Sequence, residues 1–108
     1  MSRRRDKRRL KLVRAAEEAL EQGKYKDVAR LMQRAAVYSG LLGDIESFRR
    51  FMGKAGEFYE KAAENLWMSE GKLEASLLYM KAAKCYRDAG RMNQLRYATL
   101  WFTNTATP

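Results

Sequence analysis

Glu57, Glu60 and Glu64 recur at spacings of 3 and 4, which places their carboxylates on one face of a helix. Carboxylates so placed have two chemical uses: gathering a hard cation, or sharing a proton as an acid–base pair. Lys54 and Lys61 interleave with them, and opposite charges three or four residues apart predict a solvated, ion-paired surface instead. The lone cysteine, Cys85, falls between Ala82 and Tyr86 on an apolar helical face, with no basic partner demanded by the spacing. That setting predicts a buried structural thiol rather than a reactive one. Histidine is absent, which removes the commonest general base at neutral pH and the commonest metal ligand, and with them hydrolytic triads and zinc sites. No glycine-rich phosphate loop is present either. The chain is therefore expected to be no enzyme and to carry no metal or cofactor, and no small-molecule substrate is expected.

The remaining chemistry-bearing residues are cations. Of the formal net charge of +9, residues 1–14 supply +7, from eight Lys/Arg and one Asp. Arg3, Arg4, Arg5, Lys7, Arg8, Arg9, Lys11 and Arg14 make a candidate polyanion-binding segment, suited to phosphates, an acidic protein or an anionic membrane surface. Cations sit unfavourably at a helix N-terminus, so the cluster does not serve helix formation. No aromatic residue is interleaved with it, which weakens a base-stacking role. Residues 1–9 lack apolar periodicity and read as a basic arm or as an extension of the first helix. From Leu10 onward, Leu12, Val13, Ala16, Ala19 and Leu20 form a helical stripe.

Those groups must be positioned by helices. The 108 residues fit one domain; the one proline is Pro108, and all seven glycines lie between Gly23 and Gly90. Four glycines open a common pattern with apolar or small residues at offsets 3, 7 and 10 after the first apolar position. Gly23 leads Tyr25, Val28, Met32 and Ala35, and Gly43 leads Ile45, Phe48, Met52 and Ala55. Gly71 leads Leu73, Ser76, Met80 and Ala83, and Gly90 leads Met92, Leu95, Thr99 and Phe102. Each glycine is expected as the left-handed residue that ends a helix. Five antiparallel helices follow, at about 4–22, 24–39, 44–69, 72–89 and 91–103, with residues 10–103 as a single helical-repeat domain and 104–108 as a tail. The third and fourth helices are apolar on two sides, as at the centre of a bundle. On the fourth, Leu73, Leu77 and Met80 form one side, and Ala82, Cys85 and Tyr86 belong to the other. Gly53 and Gly56 inside the third helix permit either close helix packing or a break near residue 53 that would make six helices.

The strings Arg14-Ala15-Ala16-Glu17 and Lys61-Ala62-Ala63-Glu64 are echoed by Arg34-Ala35-Ala36 and Lys81-Ala82-Ala83, so both pairs repeat after 47 residues. Gly23-Lys24-Tyr25-x2-Val28-x3-Met32-x2-Ala35 and the stretch from Glu70-Gly71-Lys72-Leu73 to Cys85-Tyr86-Arg87-Asp88-Ala89-Gly90 resemble the tetratricopeptide superfamily, including the longer hairpins of SNAP-type adaptors. The resemblance covers about residues 14–103. It departs from the family in its longer repeat, against about 34 residues, in lacking a closing proline, and in lacking the Trp-x2-Leu-Gly start. What the resemblance implies is an all-α protein of stacked antiparallel hairpins, arranged as a right-handed array; the alternative is a compact bundle of the microtubule-interacting-and-trafficking type, which shares short helical hairpins with alanine seams. Ala35, Ala62, Ala82 and Ala83 would be the helix-crossing positions of the array.

The resemblance further implies a non-enzymatic adaptor that binds a protein partner in a groove or associates with itself. The alternative is a nucleic-acid-associated protein that grips phosphates with its N-terminal segment. Tyr97, Leu100, Trp101 and Phe102 form a candidate protein interface on the last helix, or fold back onto the third and fourth. No apolar run reaches the roughly 18 residues of a membrane span, and with the single cysteine this predicts a cytoplasmic protein.

Overall fold

The computed structural model describes residues 2–69 and 71–106; Met1, Glu70, Thr107 and Pro108 lie outside the described residues. The protein is all-α, with helices α1 (Ser2–Glu21), α2 (Tyr25–Leu41), α3 (Ile45–Met68), α4 (Lys72–Ala89) and α5 (Met92–Ala106). Residues 2–9 are thus a helical extension of α1, and residues 104–106 continue α5 rather than form a tail. Helix α3 runs unbroken through Gly53 and Gly56.

Three of the connecting turns are built alike. Gly23, Gly43 and Gly90 have φ of 71°, 78° and 75°, a conformation that costs any residue with a Cβ about 1–2 kcal/mol. In each turn the glycine amide donates to the carbonyl three residues back, and the following amide donates to the one five back, as Gly23 to Leu20 (3.0 Å) and Lys24 to Ala19 (2.9 Å). The last carbonyls of the outgoing helix are thereby satisfied, while the chain reverses. The fourth turn differs from expectation. Gly71 has φ −83° and is the residue just before α4, and its amide donates to the Leu66 carbonyl, five residues back, at 2.8 Å; it thus holds the place that Lys24 and Asp44 hold in the first two turns, the residue after the glycine.

Each helix packs on its neighbours in sequence, α1 on α2 through to α4 on α5, with little direct contact between other pairs. The result is a slab of 50 × 29 × 15 Å. Its main core joins α3, α4 and α5 to α2 around Tyr59, Tyr79, Tyr86, Leu78 and Met52, cushioned by fully buried alanines including Ala36, Ala55, Ala63 and Ala82. Each large side chain removed from water contributes about 2–3 kcal/mol. The crossing alanines Ala35 and Ala62 are buried, and Ala83 is half-buried.

Not every position of the glycine-led pattern is inside. Ile45, Leu73 and Met92, each the first or second residue of its helix, are exposed. Their side chains lean back toward the helix N-terminus, past the end of the neighbouring helix. Leu77 is exposed as well, so the Leu73–Leu77 side of α4 is not covered as a central helix would require; α3 and α5 both pack on its other side.

Candidate functional site

The three glutamates do not form one solvated face. Glu57 accepts from Arg91 at 3.2 Å and pairs with Lys54 at 3.4 Å, and Glu64 is exposed. Lys61 instead lies over the rings of Tyr25 and Phe58. Glu60 is the exception to the expectation. It lies on a stripe of small residues, Gly53, Gly56 and Ala63, that receives Tyr86 and Arg91 from across the junction. An added Cβ at Gly56 would stand 2.7 Å from the Tyr86 ring, and one at Gly53 would meet the Arg91 guanidinium. The glycines therefore admit a ring and a guanidinium rather than another backbone. Glu60 Oε1 is buried with no hydrogen-bond partner among the described residues. Burial first, then the charge on Glu64, pushes this carboxyl up to about 7, opposed by the Tyr86 hydroxyl. Among the described residues no group of three His, Cys, Asp or Glu is placed to hold a metal ion. Cys85 is buried and its thiol is pushed up to about 12, chiefly by desolvation, which leaves it protonated and unreactive at neutral pH.

The eight N-terminal cations separate into two sets. Because α1 runs antiparallel to α2, its first turns lie beside the C-terminal end of α2. Arg5 donates to the Leu41 carbonyl (3.3 Å) and Arg8 to the Tyr38 hydroxyl (3.4 Å). Arg9 donates to Asp44 (3.0 Å), to the Ser39 hydroxyl (3.2 Å) and to Asp6 (2.9 Å). Asp44 also caps α3, accepting from the Ser47 amide at 3.1 Å. Its carboxyl is held below the ordinary value by Ser47 first and Arg9 next. These three arginines thus fasten α1 to α2 and α3. Arg3, Arg4, Lys7, Lys11 and Arg14 are exposed and make no hydrogen bond or ion pair among the described residues.

On α5, Tyr97 and Leu100 point outward, whereas Trp101 and Phe102 are half-buried against the main core. Trp101 stacks on Tyr79 (6.0 Å between centroids) and meets Trp67 edge-on (5.3 Å). The four residues therefore split between surface and core.

One surface has no counterpart in the sequence reading. Between α2 and α4, with α3 as floor, runs an open groove of about 410 Å³ lined by Arg30, Gln33, Arg34, Val37, Tyr59 and Lys81. The Tyr59 hydroxyl donates to Gln33 Oε1 at 2.9 Å, and Lys81 lies over the Tyr59 ring. Lys26 and Glu74 bridge α2 and α4 near their N-termini at 3.4 Å. The lining combines hydrogen-bonding groups with apolar ring and methyl surface. It offers no nucleophile with an adjacent base. A smaller recess between α1 and α3 is lined by Leu10, Val13, Arg50 and Phe51 among others.

Among the described residues no helix is long and apolar enough to cross a membrane. Compared with known proteins, the chain matches no family model, no curated protein and no solved structure.

Proposed function

We propose that this chain is a non-enzymatic, intracellular adaptor of tetratricopeptide-like helical hairpins that binds a segment of a partner protein in the α2–α4 groove. The observation that carries the reading is the groove itself. Consecutive packing of the helices keeps α2 and α4 apart over Tyr59, so an open recess persists where a closed bundle would have filled it. Binding modules built of stacked helical hairpins use such recesses, since the array supplies a long surface at no cost in core packing. The outward-facing Tyr97 and Leu100 on α5 offer a second contact, and a second copy of the chain is one of the partners the module would accept.

A photo-crosslinking residue placed at Val37 in the groove, and separately at Leu100 on α5, tests the proposal in cells that make the protein. Crosslinks to a discrete partner from position 37, abolished by Arg34→Glu with Lys81→Glu, are the expected result. Crosslinks from position 100 alone, or capture at 37 that survives both charge reversals, would overturn the groove assignment.

A further inference from the structure

We infer that the outer face of α1 docks on the phosphate backbone of a nucleic-acid duplex. With 3.6 residues per turn, Arg3, Lys7, Lys11 and Arg14 fall within an arc of about 80° and span about 16 Å of helix, with Arg4 at its edge. The opposite side of the same helix holds Leu12, Ala16 and Ala19 against α2, so the stripe faces solvent. The two sets of cations have different work. Arg5, Arg8 and Arg9 are engaged by the protein, while the five outer cations bond to nothing among the described residues. They crowd like charges at the positive end of a helix dipole, an arrangement that opposes the helix and is relieved by an external polyanion. The stripe ends abruptly, because Glu17, Glu18 and Glu21 occupy the following exposed turns.

The shape of this surface selects among polyanions. Membrane-surface helices sink an apolar face into the lipid. Here that face is already buried in the protein, and among the described apolar residues of the first 14 Leu10 alone stands exposed. Binding to single strands draws on aromatic stacking platforms, and the stripe has none. A straight, regular row of point charges without apolar anchors fits a duplex backbone, which carries one charge per about 1.7 Å of axis and is bound without regard to sequence. This surface is separate from the α2–α4 groove, so each stands or falls alone.

Fluorescence anisotropy with a labelled DNA duplex of about 20 base pairs, titrated between about 50 and 200 mM salt, tests it. Four to five phosphate contacts predict a log–log salt slope of about −4, where eight contacts would give about −7. Lys7→Gln with Lys11→Gln should flatten the slope by about 2 and weaken low-salt binding at least about tenfold. Arg5→Gln with Arg8→Gln should move the slope by less than about 1. Because Lys7 and Lys11 make no hydrogen bond or ion pair among the described residues, that variant should melt no lower than the parent, and this control separates lost binding from lost structure. Equal losses from both pairs of substitutions, a slope near zero, tighter binding to a single strand than to the duplex, or binding to phosphatidylserine vesicles without duplex binding would overturn the assignment.

Discussion

The α1–α2 joint and the α3–α4–α5 junction hold helices together by different means. At the junction, two glycines and a row of alanines let Tyr86, Tyr79 and Tyr59 into the interior, and Trp101 stacks on Tyr79. At the joint, the buried cluster is the small one of Ala16, Ala19 and Val28, with Leu31, Met32 and Phe58 packed on it, and the attachment is completed by Arg5, Arg8 and Arg9 reaching carbonyl, hydroxyl and carboxylate groups. Apolar burial is insensitive to salt, whereas partly exposed ion pairs are screened. The contrast means that α1 is the helix most easily released, and that the positively charged segment is also the movable one.

The two regions also answer pH in opposite directions. Asp44 has its carboxyl pKa lowered from 3.8 on folding, by its cap on Ser47 first and by Arg9 of α1 next, so the contribution of cap and α1 attachment together is present above about pH 4 and is lost as pH falls through the lowered value. Glu60 is raised from 4.5 to about 7, so the folded chain binds its proton where the unfolded chain releases it. Stability from the junction is therefore complete below about pH 4.5 and declines as pH rises through 7.

The largest effect expected from breaking this comparison is Tyr86→Ala, which empties the junction and costs about 3–5 kcal/mol in urea unfolding. Gly56→Ala should cost about 1–3 kcal/mol, since the new methyl runs into the Tyr86 ring, even though alanine is the better helix former. A neutral result would mean that the ring is not held. Glu60→Gln should stabilise the chain on the order of 1–2 kcal/mol at pH 8, a figure discounted for the half-exposed site, and nothing at pH 4. Unfolding curves at the two pH values check the sign. Arg9→Ala should cost about 1 kcal/mol or less, felt in α1 alone, where limited proteolysis within residues 3–11 should speed up while the junction is unmoved.

Much of this architecture is legible in the residues. Gly23, Gly43 and Gly90 announce their turns because only a residue without Cβ is comfortable there, and the observed helix ends fall within two or three residues of those expected. Gly71 misleads because it stands at the start of α4, where Lys24 and Asp44 stand in the first two turns, and not at the left-handed position before it. The burial of Glu60 had a signal, since Gly53, Gly56, Glu60 and Ala63 recur at spacings of 3, 4 and 3. Glu57, Glu60 and Glu64 share the same period, and spacing alone does not say which stripe faces inward. The division of the cations follows from Leu12, Ala16 and Ala19, whose opposite side carries Arg3, Lys7 and Arg14. That Arg9 meets Asp44 required knowing where α2 ends. The groove left no mark, because Arg30, Arg34 and Lys81 read as ordinary surface charges until α2 and α4 are set side by side.

Native-state hydrogen exchange, resolved by residue, probes most directly the claim that packing is consecutive and that α1 is held least. Amides of residues 10–20 should open with a free energy well below the global value reported by residues 78–86, and Arg9→Ala should lower the first and leave the second unchanged. If α1 and α4 exchanged through a single global opening, the division between a polar joint and an aromatic junction would be contradicted.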